Sequence, residues 1–460
     1  MDMKKNDQVE LTINGITAEG MGVGRVEGKA VFVPDTIEEE TIRAQIVKTA
    51  KTFCYGKLLA VLTPSDKRQE PDCPISIRCG GCVYRHMRYD EELRIKERKV
   101  RDALQRIGGL DIPVEPIIGA DDPNHYRNKT QLPIRMGDDG KLRMGFFASR
   151  SHHVVDSSDC KLQMKIFAQV VSVFREWAKL AKPDAYDETL HKGRLRHLCM
   201  RYAEKTGELM VCVVVNAGGI PMEKEFCAML SGKIPELKSV IISSNREKTN
   251  VIMGQKCRTA WGQDFITDEL CGLRFKLSPL SFYQVNRAQA EKLYTIAKEY
   301  AALGGEEVLL DLYCGTGTIG LTMAHEAKRL IGVEIVEETV EDARENAAQN
   351  DIKNAEFLCA NAAEATKDLI RRGVRPDVVL LDPPRKGCEA ELVDLVTGGM
   401  RPERIVYVSC DPATLARDLK RFTENGYVCQ RARPVDLFSR TAHVETVVLL
   451  SRKNQTEVSV

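Results

Sequence analysis

Near the C-terminal end the sequence V-S-C-D-P-A-T-L-A-R-D sets Cys410 between an apolar run and an Asp-Pro turn, with a helical stretch after it. A strand end is a rigid place to present a nucleophile, and a turn there leaves the sulfur open to a ligand. Upstream stand D-L-Y-C-G-T-G-T-I-G, from Asp311, and L-L-D-P-P-R-K-G, from Leu380. The first follows an apolar run and opens a helix. Its glycines let the backbone approach a ligand closely, and the helix N-terminus adds positive potential. Glu334 ends the next apolar run, where a ribose diol would need a double acceptor. Together the three segments describe an enzyme that holds a nucleotide-like cofactor beside a reactive thiol.

Gly315, Gly317 and Gly320 satisfy G-x-G-x-x-G, with an acid about 20 residues on, so this loop alone suits NAD and S-adenosylmethionine equally. Asp382 breaks the tie. Its strand and stiff double-proline turn put a carboxylate at the carboxyl edge of the sheet, where open α/β sheets bind ligands. Asp311 and Asp382 both suit a positively charged sulfonium, and nicotinamide chemistry has no need of the second element. D-P-P followed by R-K-G resembles motif IV of methyltransferases.

Methylating a nitrogen needs only a lone pair. The C5 of uracil is a poor nucleophile until a thiolate adds at C6, so an enzyme for that carbon needs one activated cysteine and one base. An unassisted thiol is only a few per cent thiolate at neutral pH. The neighbourhood of Cys410 must therefore lower its pKa, or the base must act in concert. The base candidate is Glu445, in F-S-R-T-A-H-V-E-T-V-V-L-L, at the start of the last apolar strand. Apolar neighbours raise a carboxylate's pKa toward proton transfer; the same position also suits a solvated carboxylate at a strand start. His443 reads as a turn histidine bonded to the backbone. Cys314, Cys359 and Cys388 read as structural or incidental.

Cys73-x5-Cys79-x2-Cys82 is a tight group, and Cys160 lies well downstream. Three clustered thiols and one distant one suit zinc and a [4Fe-4S] cube equally, with unrelated core cysteines as the plain alternative. Fifteen cysteines in 460 residues do not make a disulfide scaffold. The polar N-terminus lacks an apolar signal core, and the longest apolar run, Leu209 to Val215, is too short to span a bilayer. These features predict a cytoplasmic protein with no membrane association.

The length accommodates three domains of roughly 150 residues each. Residues 5–64 carry short alternating runs separated by glycines and predict a small β-barrel. Residues 65–270 form a central α+β region with the cysteine loop and a charged helix over 92–107, which can pack with the last domain. In residues 271–460 near-continuous apolar strands alternate with helices, so the fold class is α/β with a mostly parallel open sheet. The net charge is only +1, so no global field draws the chain to a polyanion and RNA contacts must come from patches. One runs from Arg85 to Arg106 with acids interleaved, which also suits a solvated helix face. Another runs from Arg127 through Lys129, Arg135, Lys141 and Arg143 to Arg150.

The chain resembles the bacterial RNA uracil-C5 methyltransferases, most of all the 23S ribosomal RNA branch that couples a TRAM barrel to an iron-sulfur cluster. The likeness covers nearly the whole chain and rests on F-Y-Q-V-N at Phe282 to Asn286, D-L-Y-C-G-T-G-T-I-G, L-D-P-P-R-K-G, V-S-C-D-P-A-T-L-A-R-D and H-V-E-T-V. It implies a class I methyltransferase fold, Cys410 as nucleophile and Glu445 as proton acceptor. It implies S-adenosylmethionine contacts from Gln284, Tyr313, Glu334 and Asp382, with Asn361 near the adenine. It favours a [4Fe-4S] cluster on Cys73, Cys79, Cys82 and Cys160. The implied partner is 23S ribosomal RNA in an unstructured or pre-ribosomal form, and not DNA. The rival readings are a transfer-RNA uracil-C5 methyltransferase, an NAD-linked iron-sulfur oxidoreductase and a non-catalytic RNA-binding factor. The transfer-RNA branch generally lacks both the barrel and the cysteine loop, which argues against the first of these.

Overall fold

Inward-facing Leu11, Ile13, Val31, Val33, Ile42 and Ile46 alternate with polar residues, and five strands close on them as a barrel. In this computed structural model, which describes residues 3–149 and 151–453, the strands are β1 (Gln8–Ile16), β2 (Gly22–Val26), β3 (Lys29–Val33), β4 (Thr41–Thr49) and β5 (Phe53–Thr63). Their order is β1-β2-β3-β5-β4, with β1 antiparallel to β4 closing the ring. Arg150 of the second basic patch and the residues after 453 lie outside the described residues.

The central region builds a seven-stranded sheet from β6 (Lys129–Met136), β7 (Leu142–Phe147), β8 (Val154–Asp156), β9 (Leu195–Ala203), β10 (Glu208–Val215), β11 (Leu237–Ser244) and β12 (Lys256–Gly262), ordered β12-β11-β10-β9-β6-β7-β8. Helices Ile166–Ala181 and Glu223–Lys233 cover one face through Phe167, Phe174, Trp177 and Phe226. From the other face Cys199, Met210, Cys212 and Val214 join the core of the last unit. β10 is therefore buried on both sides, which is why Leu209 to Val215 is continuously apolar.

A hairpin, β13 (Ile266–Leu270) and β14 (Leu273–Leu277), leads into the last sheet. This comprises β15 (Val308–Leu312), β16 (Arg329–Glu334), β17 (Ala355–Cys359), β18 (Val378–Leu381), β19 (Arg404–Ser409), β20 (Tyr427–Val435) and β21 (Glu445–Arg452). The order is β17-β16-β15-β18-β19-β21-β20, with β15 to β19 parallel and β21 antiparallel to both its neighbours. The order reverses between β15 and β18, and the crevice at such a switch point is where open α/β sheets take ligands. Among the described residues no helix is long and apolar enough to cross a membrane.

The charged helix runs Tyr89–Arg106. Val100, Ala103 and Leu104 pack into the core of the last unit with Leu415, Ala416 and Leu419. Several cations of the first basic patch are structural. Arg85 is buried and paired with Asp72, Lys96 is buried between Glu92 and Asp436, and Arg94 and Arg98 pair with Glu38 of the barrel.

Candidate active site

Cys410 follows directly on β19. The next residue, Asp411, caps helix Pro412–Glu424: its Oδ1 accepts from the amides of Ala413 at 3.0 Å and Thr414 at 2.9 Å, and proline fills the first helical position. The thiol is thus fixed between a strand end and a capped helix start. β21 enters from the opposite direction, so its first residue lies at the carboxyl edge of β19. The register pairs Ser409 with Thr446, and one step further sets Cys410 beside Glu445. The antiparallel strand is the device that brings two residues 35 positions apart (445 minus 410) to one sheet edge.

Both residues line a cavity of about 670 Å3, together with Gln284, Tyr313, Glu334, Asn361 and Asp382. The structure therefore gathers every catalytic and cofactor residue expected from the sequence around one space. Phe282, Arg385, Phe438 and His443 line it too. Phe282 lies in the motif F-Y-Q-V-N, yet periodicity alone gives an apolar residue no reason to be out of the core; it is 63% exposed. Phe438 and Arg385 flank motif residues and carry no spacing signal of their own.

Burial governs the electrostatics. Glu445 is only 5% exposed, not a solvated strand-start carboxylate, and burial with repulsion from Asp382 pushes its pKa up to about 8. Burial also raises Asp382 to about 7. The Cys410 thiol is pushed up to about 11, first by burial and then by the carboxylates of Glu445 and Asp382, with Arg385 opposing. The protein's own groups therefore raise this thiol rather than lower it. His443 does not behave as a turn histidine bonded to the backbone. Its Nε2 lies 3.4 Å from Arg385 Nη2, its ring meets Phe438 edge-on, and burial lowers its pKa to about 4.

On the cofactor side, Tyr313 and Gly315 take left-handed backbone angles, φ 69° and 54°. A non-glycine residue in that region at a sheet edge marks a shaped site. A Cβ on Gly315 would meet nothing within 4 Å, so the loop is open on the side a ligand would take. Asn361 caps helix Ala362–Arg371: its Oδ1 accepts from Ala363 at 2.9 Å, which leaves Nδ2 to donate to a ligand. Glu334 Oε1 accepts from the amides of Ile335 and Val336, at 2.8 and 3.1 Å. These residues fit an adenosine-bearing sulfonium. Asp311 does not line the cavity: it is 1% exposed, accepts from the Gly320 amide at 3.1 Å and leaves Oδ1 unpartnered. Only Asp382 of the two expected carboxylates is a cavity wall.

Cys73, Cys79, Cys82 and Cys160 line a second cavity of about 470 Å3, and all four are free thiols. Phe282 borders both cavities. Burial raises the thiols of Cys79 and Cys82, and that of Cys160 to about 11. Among the described residues no three His, Cys, Asp or Glu side chains stand in a group that could hold a metal ion. The four thiols line one shared space, and among the described residues their arrangement bears out neither the zinc nor the [4Fe-4S] option read from the sequence.

A family model described as tRNA (Uracil-5-)-methyltransferase matches residues 232–453, and one described as the TRAM domain matches residues 4–59. A protein of Clostridium tetani described as an uncharacterized RNA methyltransferase is 43% identical over 449 residues, 98% of this chain and 97% of its own. One of Halalkalibacterium halodurans with the same description is 41% identical, covering 98% of each chain. Among solved structures, the Pyrococcus abyssi tRNA (uracil-54, C5)-methyltransferase in complex with S-adenosyl-L-homocysteine superposes with a TM-score of 0.78 at 28% identity, covering 96% of this chain and 100% of that one. That likeness corrects one inference from the sequence: an enzyme of transfer RNA aligns with nearly all of this chain, so the domain organisation does not argue against such a target. Fold, site and relatives agree: the chain belongs to the TRAM-bearing family of RNA uracil-C5 methyltransferases, with a class I catalytic fold that uses S-adenosylmethionine.

Proposed function

We propose that the protein forms 5-methyluridine in 23S ribosomal RNA by covalent catalysis. As the Cys410 sulfur adds to C6 of the uracil its proton passes to the Glu445 carboxylate and on to solvent, and the C5–C6 electron pair attacks the methyl carbon of the sulfonium. The C5–methyl bond forms as the sulfur–methyl bond breaks, leaving a neutral thioether. Glu445 takes the C5 proton, the C5–C6 double bond reforms and the C6–S bond breaks, returning the thiolate. Asp382 holds its carboxylate toward the sulfonium, while Glu334 and Asn361 accept from and donate to the adenosine. Gln284 and Tyr313 fix the cofactor's orientation. The target base must leave its stack, at a cost of a few kcal/mol. The observation that carries this reading is the strand register that sets Cys410 beside Glu445, both lining the cavity that Tyr313 and Gly315 also line.

The likeness of the sequence motifs to the 23S branch supports a ribosomal target, while the barrel-plus-catalytic-domain layout serves either target. A second reading, a transfer-RNA target, is favoured by the structural likeness to the archaeal tRNA enzyme. Labelled methyl transfer from S-adenosylmethionine to 23S transcripts and to transfer RNA, with Cys410→Ala as control, decides between them. Label in neither RNA, from a protein that binds the cofactor, would sink the proposal.

Cys73, Cys79, Cys82 and Cys160 are proposed to hold a [4Fe-4S] cluster. The support is the sequence likeness to the iron-sulfur branch and the lining of one cavity by all four thiols. Such a cluster would brace the loop and contribute no electron to methyl transfer. Anaerobic reconstitution should give about four irons per chain by metal analysis, and Cys82→Ser should reduce that number.

A further inference from the structure

The loop between β20 and β21, residues 436–444, delivers Phe438, His443 and Glu445 to the cavity, yet it is not shaped by its own domain alone. The amides of Val83 and Tyr84, from the segment just after Cys82, donate to the Arg440 carbonyl at 2.7 and 3.3 Å. Arg440 itself takes a left-handed φ of 66°. Lys99, on helix Tyr89–Arg106, donates through one ammonium to the Ala442 carbonyl at 2.9 Å and to the Ala18 carbonyl of the barrel at 3.0 Å. Ala18 lies in the β1–β2 turn, and Gly20 of that turn abuts Val83 and Tyr84. A Cβ there would come within 2.3 Å of Val83 Cγ1 and 2.8 Å of the Tyr84 ring. The barrel turn, the post-cysteine segment and the base loop thus meet at one junction, three residues before Glu445.

We propose that Lys99 is a positioning residue for the catalytic base, and that barrel docking at this junction holds the Glu445 loop in its productive place. A tether needs only that the barrel stay attached. A shared ammonium between a barrel carbonyl and the carbonyl three residues before the base does more: it makes the position of the base depend on the seating of the barrel. Two charge-assisted hydrogen bonds converge on backbone, which fixes a loop more tightly than side-chain packing does. Misplacement of a catalytic group by about 1 Å costs up to about a hundredfold in rate.

This inference rests on the reaction proposed above, in which proton removal by Glu445 releases the RNA from Cys410. Its signature is therefore kinetic. Lys99→Met keeps the length of the side chain and removes the donors. With the full-length protein and a uridine-containing RNA substrate, it should lower turnover at saturating RNA about tenfold and leave the RNA KM unchanged. It should also raise the fraction of RNA caught as a covalent protein adduct on a denaturing gel, as Glu445→Gln should do more strongly. Lys99→Arg should recover most of the turnover. Gly20→Ala, which pushes on the same junction from the barrel side, should reproduce the Lys99→Met pattern, and thermal unfolding checks that each variant is folded. A weaker RNA KM with turnover unchanged would overturn the proposal in favour of a tether. So would unchanged turnover, or lost turnover with no added adduct. A wild type that binds cofactor and RNA but forms neither product nor a 5-fluorouridine adduct would overturn the reaction itself, and this role with it.

Discussion

The Gly315 amide donates to Glu334 Oε2 at 3.2 Å. The acid at the end of β16 therefore anchors the glycine loop, and in the proposed reading it is also the acceptor for a ribose. Glu334→Ala removes both, and one hydrogen bond to a charged group contributes about 1.5–3 kcal/mol. The expected result is a roughly ten- to hundredfold weaker dissociation constant for S-adenosylmethionine by calorimetry. Glu334→Gln, which keeps one acceptor, should lose less. Equal losses in the two variants would mean that charge, not anchoring, sets the affinity.

The protein's own groups predict a slow thiol. With Cys410 pushed up to about 11, only about one molecule in a thousand carries a thiolate at pH 8. Alkylation by iodoacetamide should be correspondingly sluggish and should rise with pH up to about that value. A sulfonium beside Asp382 and Glu445 offsets the two carboxylates that raise the thiol. S-adenosylmethionine should then speed alkylation at fixed pH, whereas the uncharged thioether product should not. Equal effects of the two ligands would remove the electrostatic account.

Glu445 also ties catalysis to stability. Its carboxyl is raised from 4.5 to about 8 in the folded protein, so the native state holds the proton more tightly than the unfolded chain. Its contribution to stability is intact below pH 4.5, falls as pH rises through the window to about 8, and stays lost above it. Glu445→Gln should therefore match the wild type in melting temperature near pH 4.5 and exceed it at pH 8. The gain is on the order of a few kcal/mol, read from urea unfolding at the two pH values. A variant that is less stable than wild type at pH 8 would mean that the carboxylate is paired in a way this site does not suggest.

How much of this was legible in the chain depends on the range of each signal. The barrel and the parallel strands announce themselves by alternation and by continuous apolar runs, both local patterns. Cys410 is legible because a strand, a cap and a proline surround it in consecutive residues. Glu445 was legible as a candidate at a strand start but not as a buried one, because its burial is set by a strand that turns back against β19. His443 misled for the same reason: its partner Arg385 is 58 residues away. Lys96 and Arg85 read as members of a basic surface, since sequence shows their charge and not their burial. Asn361 was expected as a ligand contact only by likeness, whereas its residue type and place before a helix are those of an N-cap, which it is.

The buried triad of Lys96, Glu92 and Asp436 gives the last prediction. Lys96 Nζ lies 2.7 Å from Glu92 Oε1 and 2.6 Å from Asp436 Oδ1, and all three side chains are fully buried. The same ammonium donates to the Phe438 carbonyl at 3.2 Å. Removing one partner of such a group leaves an uncompensated buried charge, at a cost of about 3–5 kcal/mol. Lys96→Met leaves Asp436 without a cation and Glu92 with Arg440 alone, at 3.5 Å, and should destabilise the fold by about that amount, measured as a lowered urea midpoint. Adding Glu92→Gln and Asp436→Asn removes both carboxylate charges and should return part of the loss, the remainder being the Glu92 partner that buried Arg440 gives up. If the triple variant stays as unstable as Lys96→Met alone, packing around the lysine stem, and not its charge, is what joins the helix Tyr89–Arg106 to the base loop.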